Sequence, residues 1–290
     1  MSSQTMSALI SISVALVVAQ PAAAQAQAQA QARDVPADWD LTLKPEERLT
    51  TAHTEFDNGL VLGARCQGAT FQVLIGGLPE APAARDLMSA RRMLGIGFGD
   101  DTVSEQGFMM GDNRSVVFAE RPSSLARSMR KGGRMQIVVA GAGAGGRNLR
   151  YVVDLPPSNA AIDQALGACG HPLVDPRDLE FEGLEDDGLP ANIKWRRMPE
   201  TSYPEGRTYT AGFAVVTCLA RPDGRLSDCV VETEFPANGG FGDAALKATR
   251  SGRLENRDGG AVPLTRIVYR TNFKMGEPTS GGRIRSSRSE

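Results

Sequence analysis

GFAVVTCLARPDGRLSDCVVETEF, residues 212–235, is the stretch that decides the fold. Two runs rich in β-branched and apolar residues flank Pro222-Asp223-Gly224, a tripeptide suited to a tight reversal, so the segment predicts a β-hairpin. Downstream, Asp243 to Arg250 has the apolar spacing of a short helix. Thr265 to Met275 then alternates as one long strand. Tyr203 to Met275 therefore reads as a compact unit built from a hairpin, a helix and a strand.

Two turns are open to the hairpin. A two-residue Asp223-Gly224 turn sets Leu219 opposite Asp228 and Cys218 opposite Cys229, with both sulfurs on one face. A three-residue loop with Gly224 as a bulge shifts the register by one and sends the sulfurs to opposite faces, unless a further bulge intervenes. We take the two-residue register, which pairs Cys218 with Cys229. It aligns Ala214, Val216, Cys218 and Ala220 with Cys229 and Val231 as an apolar face for the helix. The remaining pair is Cys66 with Cys169, a bridge across the whole preceding domain that stabilises it by roughly 2 to 4 kcal/mol through the unfolded chain. Zinc is the competing use of four cysteines, but no C-x-x-C spacing is present and His53 and His171 form no paired ligand motif. No metal, cofactor or catalytic residue is expected.

The C-terminal unit resembles the C-terminal domain of TonB-type energy transducers. The resemblance rests on Tyr203-Pro204-Glu205, Gly212, Asp223-Gly224, Asp243-Ala244-Ala245-Leu246 and Asn272-Phe273-Lys274, and covers about a quarter of the chain. It implies a small antiparallel sheet with a helix on one side, whose exposed edge receives an extended peptide, such as a segment of an outer-membrane receptor, by strand addition. By position that edge is the closing strand. Ile267, Tyr269, Thr271, Phe273 and Met275 would face the core. Arg266, Val268, Arg270, Asn272 and Lys274 would form an outer row, which either steers an acidic ligand or guards the edge against aggregation. The chain departs from the transducer pattern in lacking a Pro-rich spacer and in carrying Gly252-Arg253-Leu254-Glu255-Asn256 where Trp-x-Phe-x-Pro is expected.

Residues 38–174 read as a mostly antiparallel β domain with two short helices, so the chain as a whole is α+β. Candidate strands are Leu60 to Cys66, Thr70 to Ile75, Arg92 to Phe98, Ser115 to Glu120, Met135 to Ala140 and Arg150 to Leu155. Ser123 or Ser124 caps a helix that ends at Lys131. Ser158 caps a second that carries Ala161, Ile162, Ala165, Leu166 and Cys169 on one face. Residues 175–197, with their run of acids and Gly188-Leu189-Pro190, read as a solvated linker to the C-terminal unit at 198–276.

Three motifs invite an enzymatic reading. Gly141, Gly143 and Gly146 match G-x-G-x-x-G, but the helix that should follow is replaced by a strand, so a hairpin loop fits better. Ser128 and Lys131 match S-x-x-K without the companion motifs of a serine hydrolase, which keeps such a hydrolase as the lowest of three readings. His171 follows Cys169, but a disulfide removes that nucleophile, and His171 reads as a surface residue.

At the N-terminus, the apolar run Met6 to Ala19 and the small residues Ala22-Ala23-Ala24 resemble a signal peptide, residues 1–24, although no Lys or Arg precedes the run. A retained anchor is the minority alternative, because the run is shorter than the ~20 residues that span a bilayer. Residues 25–37 hold a Gln/Ala-rich tether, and 277–290 a Gly/Arg-rich tail expected to be disordered. The formal net charge is −2, with no basic block to recruit nucleic acid. The sequence therefore predicts an exported periplasmic, membrane-proximal but soluble protein that binds a protein or peptide without transducing energy. The rival reading is a structural or envelope-stress protein whose TonB-like unit only packs internally.

Overall fold

The computed structural model describes residues 38–82, 91–181, 184–204 and 209–274. The leader, the tether, Met275 and the tail lie outside the described residues. Among those described, no helix is long and apolar enough to cross a membrane.

Nine strands form the first sheet: β1 (Asp40–Lys44), β2 (Leu49–Glu55), β3 (Val61–Gln67), β4 (Thr70–Gly76), β5 (Arg91–Phe98), β6 (Ser104–Met110), β7 (Val117–Ala119), β8 (Gly133–Val139) and β9 (Leu149–Leu155). Their spatial order is β1-β2-β3-β4-β7-β6-β5-β8-β9, with every pairing antiparallel. The period of two is clear in β8, where Met135, Ile137 and Val139 are buried and alternate with more exposed neighbours. The six expected strands are present. Strands β1, β2 and β6 were not expected, because DLTLK and LTTAHTE are mainly polar and SEQGFMM is polar in its first half and apolar in its second, without alternation. Burial of Ala52 and Thr54 is enough to hold β2 against the core.

Two helices close this core. Helix α1 (Pro122–Met129) begins at Pro122, whose fixed φ and missing N–H suit the first helical position. Neither Ser123 nor Ser124 is the cap: Arg121 holds that position without a side-chain bond, and Ser123 is buried. Helix α2 (Ala160–Ala168) buries Ala161, Ile162, Ala165 and Leu166. Asn159, not Ser158, holds its cap position without a side-chain cap bond, and the Ser158 hydroxyl one residue earlier accepts from the Ala160 N–H at 3.4 Å. An Arg130–Asp163 ion pair ties the helices together, with N–O distances of 2.5 and 2.9 Å. Cys169, just after α2, is bonded to Cys66 of β3.

The second sheet has the order β12-β11-β14, from β11 (Ala211–Ala220), β12 (Leu226–Phe235) and β14 (Thr265–Lys274). Helix α3 (Phe241–Thr249) covers one face, in a core that includes Ala214, Val216, Cys218, Ile267, Tyr269 and Phe273. The other face packs on the first sheet, where Phe213, Val215 and Val268 meet Met109 and Phe118. The two sheets belong to one compact unit.

The hairpin departs from the expected register. At its tip Ala220 pairs with Leu226 and Leu219 with Ser227, which is the three-residue loop, whereas Thr217 pairs with Val230. The one-residue slip is absorbed by a bulge at Asp228, whose φ is 46°. That bulge lets the rival turn and the Cys218–Cys229 bridge coexist. A bulge cannot be read from alternation because it conserves composition while breaking the period.

Residues 175–197 are more ordered than a solvated linker. Asp175, Leu189 and Ile193 are buried, Leu184 bridges to Pro190, and β10 (Ile193–Arg197) pairs with β13 (Arg253–Asn256). Two of the acids are neutralised locally, since Asp175 takes the Arg177 guanidinium at 2.7 Å and Asp178 takes Arg127 at 2.6 Å, while Glu185, Asp186 and Asp187 are exposed. Phe181, Leu184, Leu189 and Ile193 follow no period, yet each reaches an apolar cluster.

Candidate functional site: the outer edge of the closing strand

Strand β14 lies at an edge of the second sheet and pairs with β11 without interruption from Thr265↔Ala220 to Lys274↔Ala211. The Val268 N–H points away from β11 and donates to the Gly188 carbonyl at 2.9 Å. In an unbroken antiparallel ladder, residues two apart turn their backbone groups to the same side, so the even-numbered residues of β14 face the outer edge. Gly188 can come this close because it has no Cβ: an added one would lie 2.2 Å from the Val268 carbonyl oxygen, and its φ is +83°.

The sequence-predicted outer row divides into two parts. Arg266 donates to Glu180 at 2.6 Å and to the Asp228 carbonyl at 3.1 Å. Val268 is buried in the seam between the sheets. Arg270 donates to Glu120 at 2.6 Å and to the Asp186 carbonyl at 3.3 Å. These three residues are therefore neither a solvated guard nor a steering row, because acids of the preceding chain have drawn both guanidiniums into the seam. Asn272 borders a groove, and Lys274 is exposed.

That groove has a volume of about 540 Å³ and runs beside Val268 to Asn272, with Met109, Trp195, Met198 and Pro199 on its walls. Trp195 packs edge-on against Tyr269, with ring centroids 5.8 Å apart, and the Tyr269 hydroxyl donates to the Pro199 carbonyl at 3.4 Å. Adjoining it is a polar cavity of about 240 Å³, which shares Arg91, Asp186, Val268 and Arg270 with the groove and adds Glu120, Arg121 and Phe181. Glu120 is the hub of this cavity, accepting from Arg91 at 2.7 Å and Arg270 at 2.6 Å on the same oxygen. The Arg121 guanidinium lies 4.5 Å from the Phe181 ring centroid, and among the described residues one of its terminal nitrogens has no hydrogen-bond partner. Burial lowers the pKa of Arg121.

The opposite edge, β12, is anchored on β4. Gln72 donates to the Glu234 carbonyl at 2.5 Å, and Thr233 to the Phe71 carbonyl at 3.1 Å. The Glu234 carboxylate also accepts the Gly242 N–H at 2.7 Å in the first turn of α3, where the helix dipole favours an anion. Nearby, a cavity of about 440 Å³ is bordered by Phe71, His171, Glu232 and Asp243. His171 is half-buried against Phe71 rather than on the surface, and its pKa is lowered by burial, with Arg127 and Arg177 adding to the effect.

The other motifs fall elsewhere. Gly141, Gly143 and Gly146 form the β8–β9 hairpin loop, closed by a Gly143 N–H to Arg147 carbonyl bond of 2.7 Å. Neither Ser128 nor Lys131 borders any of the three cavities. Sequence reasoning missed Glu120, Arg91, Arg121 and Gly188. The one available signal was Glu120 itself, an acid directly after the apolar run Val116-Val117-Phe118-Ala119, a pattern that implies a buried partner.

No protein-family model matches the chain, and no curated protein sequence matches it. A weak structural neighbour is the solution structure of the Pseudomonas aeruginosa TonB C-terminal domain, which is 24% identical in sequence, covers 30% of this chain and 89% of its own, and has a TM-score of 0.25.

Proposed function

We propose that the chain is an exported periplasmic binding protein whose C-terminal module receives an extended peptide, for instance a segment of an outer-membrane receptor, by strand addition along the distal half of β14, without energy transduction. The observation that carries this reading is the groove beside that edge. Its length follows the strand, and its walls of Met109, Trp195, Met198 and Pro199 suit alternate apolar side chains of an added strand. Export is supported by the leader-like N-terminus and by two disulfide pairs, which persist in oxidising compartments.

Trp195 supplies the test, because the only other tryptophan, Trp39, is buried in the first core. In a Trp39→Phe background, extended peptides from receptor plug regions should shift the Trp195 emission saturably. Met198 is 58% exposed, so Met198→Asp should weaken binding at least tenfold with little change in melting temperature. No response to any peptide by a folded protein would remove the binding claim. It would leave the second reading, a module that only packs internally, which is supported by the cover over Arg266, Val268 and Arg270.

A further inference from the structure

The groove beside β14 is blocked at one end. The Gly188 carbonyl already takes the Val268 N–H, so a strand laid along the edge cannot continue past Val268 toward Arg266. An added strand must end there or turn away. Immediately at that end lies the polar cavity lined by Arg91, Arg121 and Arg270. β14 runs from Thr265 to Lys274, so an antiparallel partner starts opposite Lys274 and finishes near Val268. Its C-terminus, not its N-terminus, meets the arginines.

We propose that the ligand is a peptide presenting its free C-terminal carboxylate, with the last residues in the groove and the carboxylate in the arginine cavity, held chiefly by Arg121. The inference rests on the peptide-binding reading above. Charge complementarity selects the occupant. Arg91 and Arg270 are already engaged with Glu120, and their side chains are only 11% and 16% exposed. Arg121 has a nitrogen that is buried and, among the described residues, unbonded, a position that costs free energy unless an acceptor arrives. Arg91, Arg121 and Arg270 line the cavity with one buried carboxylate, Glu120, while Glu232 and Asp178, which are not among the lining residues, also draw on the Arg121 charge. The other acids at the cavity, Glu105, Glu185 and Asp186, are exposed on its rim, where solvent and salt screen them. A peptide ammonium would be repelled by the same three cations, which disfavours a parallel strand. A carboxylate fits the planar fork of an arginine and gains charge-assisted hydrogen bonds there.

The test uses the oxidised full chain carrying Trp39→Phe and two randomised pools of N-acetylated peptides about eight residues long, one with free C-terminal carboxylates and one with C-terminal amides. Emission from Trp195 reports binding. The acid pool should bind at least tenfold more tightly, the effect of one or two charge-assisted hydrogen bonds, and raised salt should narrow the gap. Arg121→Gln should bring the two pools within twofold of each other, whereas Met198→Asp should weaken both and keep their ratio. Equal binding of both pools by a protein without either of these two changes overturns the carboxylate inference and leaves strand addition standing. Failure of both pools to bind overturns strand addition, and the inference with it. If Arg121→Gln weakens both pools equally while the melting temperature holds, Arg121 shapes the groove and does not read the carboxylate.

Discussion

Glu232 shows how a single buried acid records the meeting of the two sheets. It lies in β12, accepts the Thr217 hydroxyl at 2.6 Å, and comes within 3.7 Å of the Arg177 guanidinium. Burial raises its pKa, and the hydrogen bond and nearby arginines only partly oppose that rise. A raised carboxylate binds its proton more tightly in the folded state, so folding stability should fall as pH climbs from the unfolded value near 4.3 through the raised folded value. Glu232→Gln keeps an acceptor for Thr217 and has no charge to desolvate. It should flatten that part of the stability-against-pH curve and match or exceed the parent near pH 7, by about 1 kcal/mol. Urea unfolding at closely spaced pH values would check this. An unchanged slope would mean that Arg177 neutralises Glu232 fully. None of this was legible in the sequence, where Val231-Glu232-Thr233-Glu234 looks like a half-exposed strand. Burial of both acids follows from β12 lying against β4, a pairing that local pattern does not encode.

Among the elements, the seating of α3 on β11 depends on Gly212. A Cβ there would lie 2.2 Å from the Phe241 ring and 2.6 Å from the Phe235 carbonyl oxygen. Phe241 is the fully buried first residue of α3, with its ring 5.0 Å from Phe273 and 5.7 Å from Tyr203. Gly212→Ala should therefore push the helix start off the sheet and destabilise the protein by about 1 to 3 kcal/mol, the range of overpacked cores. The denaturant midpoint should fall with an unchanged m-value, and a drop below a few tenths of a kcal/mol would show that the helix start can slide. The helix, both hairpin strands and the inward face of β14 were legible because each has an apolar period that its neighbours accept. The hairpin register was not, because it turns on the left-handed conformation of Asp228. Strands β1 and β2 escaped because polar residues dominate them and few of their side chains are buried, and β6 because its buried residues, Phe108 and Met109, come only at its end.

At the scale of the whole molecule, the two sheets share a seam that includes both apolar and charged contacts. Phe118 packs against the stacked pair Phe213 and Phe235, with ring centroids 6.3 and 4.9 Å away. Glu120 joins Arg91 of the first sheet to Arg270 of the second, and Arg177 bridges Asp175 to Glu232. Cutting along this seam would strand buried charges as well as apolar surface, and a buried charge left without its partner costs about 3 to 5 kcal/mol. Neither sheet should therefore unfold much before the other. Sequence reading divides the chain into two domains because its strongest signals, hairpin and helix periods, are local, whereas the seam is made by residues far apart in the chain. The two tryptophans report on the two halves separately, with Trp39 in the first core and Trp195 against the second. In oxidised Trp39→Phe and Trp195→Phe variants, guanidinium titrations followed by the remaining tryptophan should match the far-ultraviolet circular dichroism transition of the same variant, with one midpoint. A separate, earlier transition at Trp195 would instead describe a module docked loosely enough to open. The groove would then be formed only part of the time, and apparent peptide affinity would fall in proportion to the closed fraction.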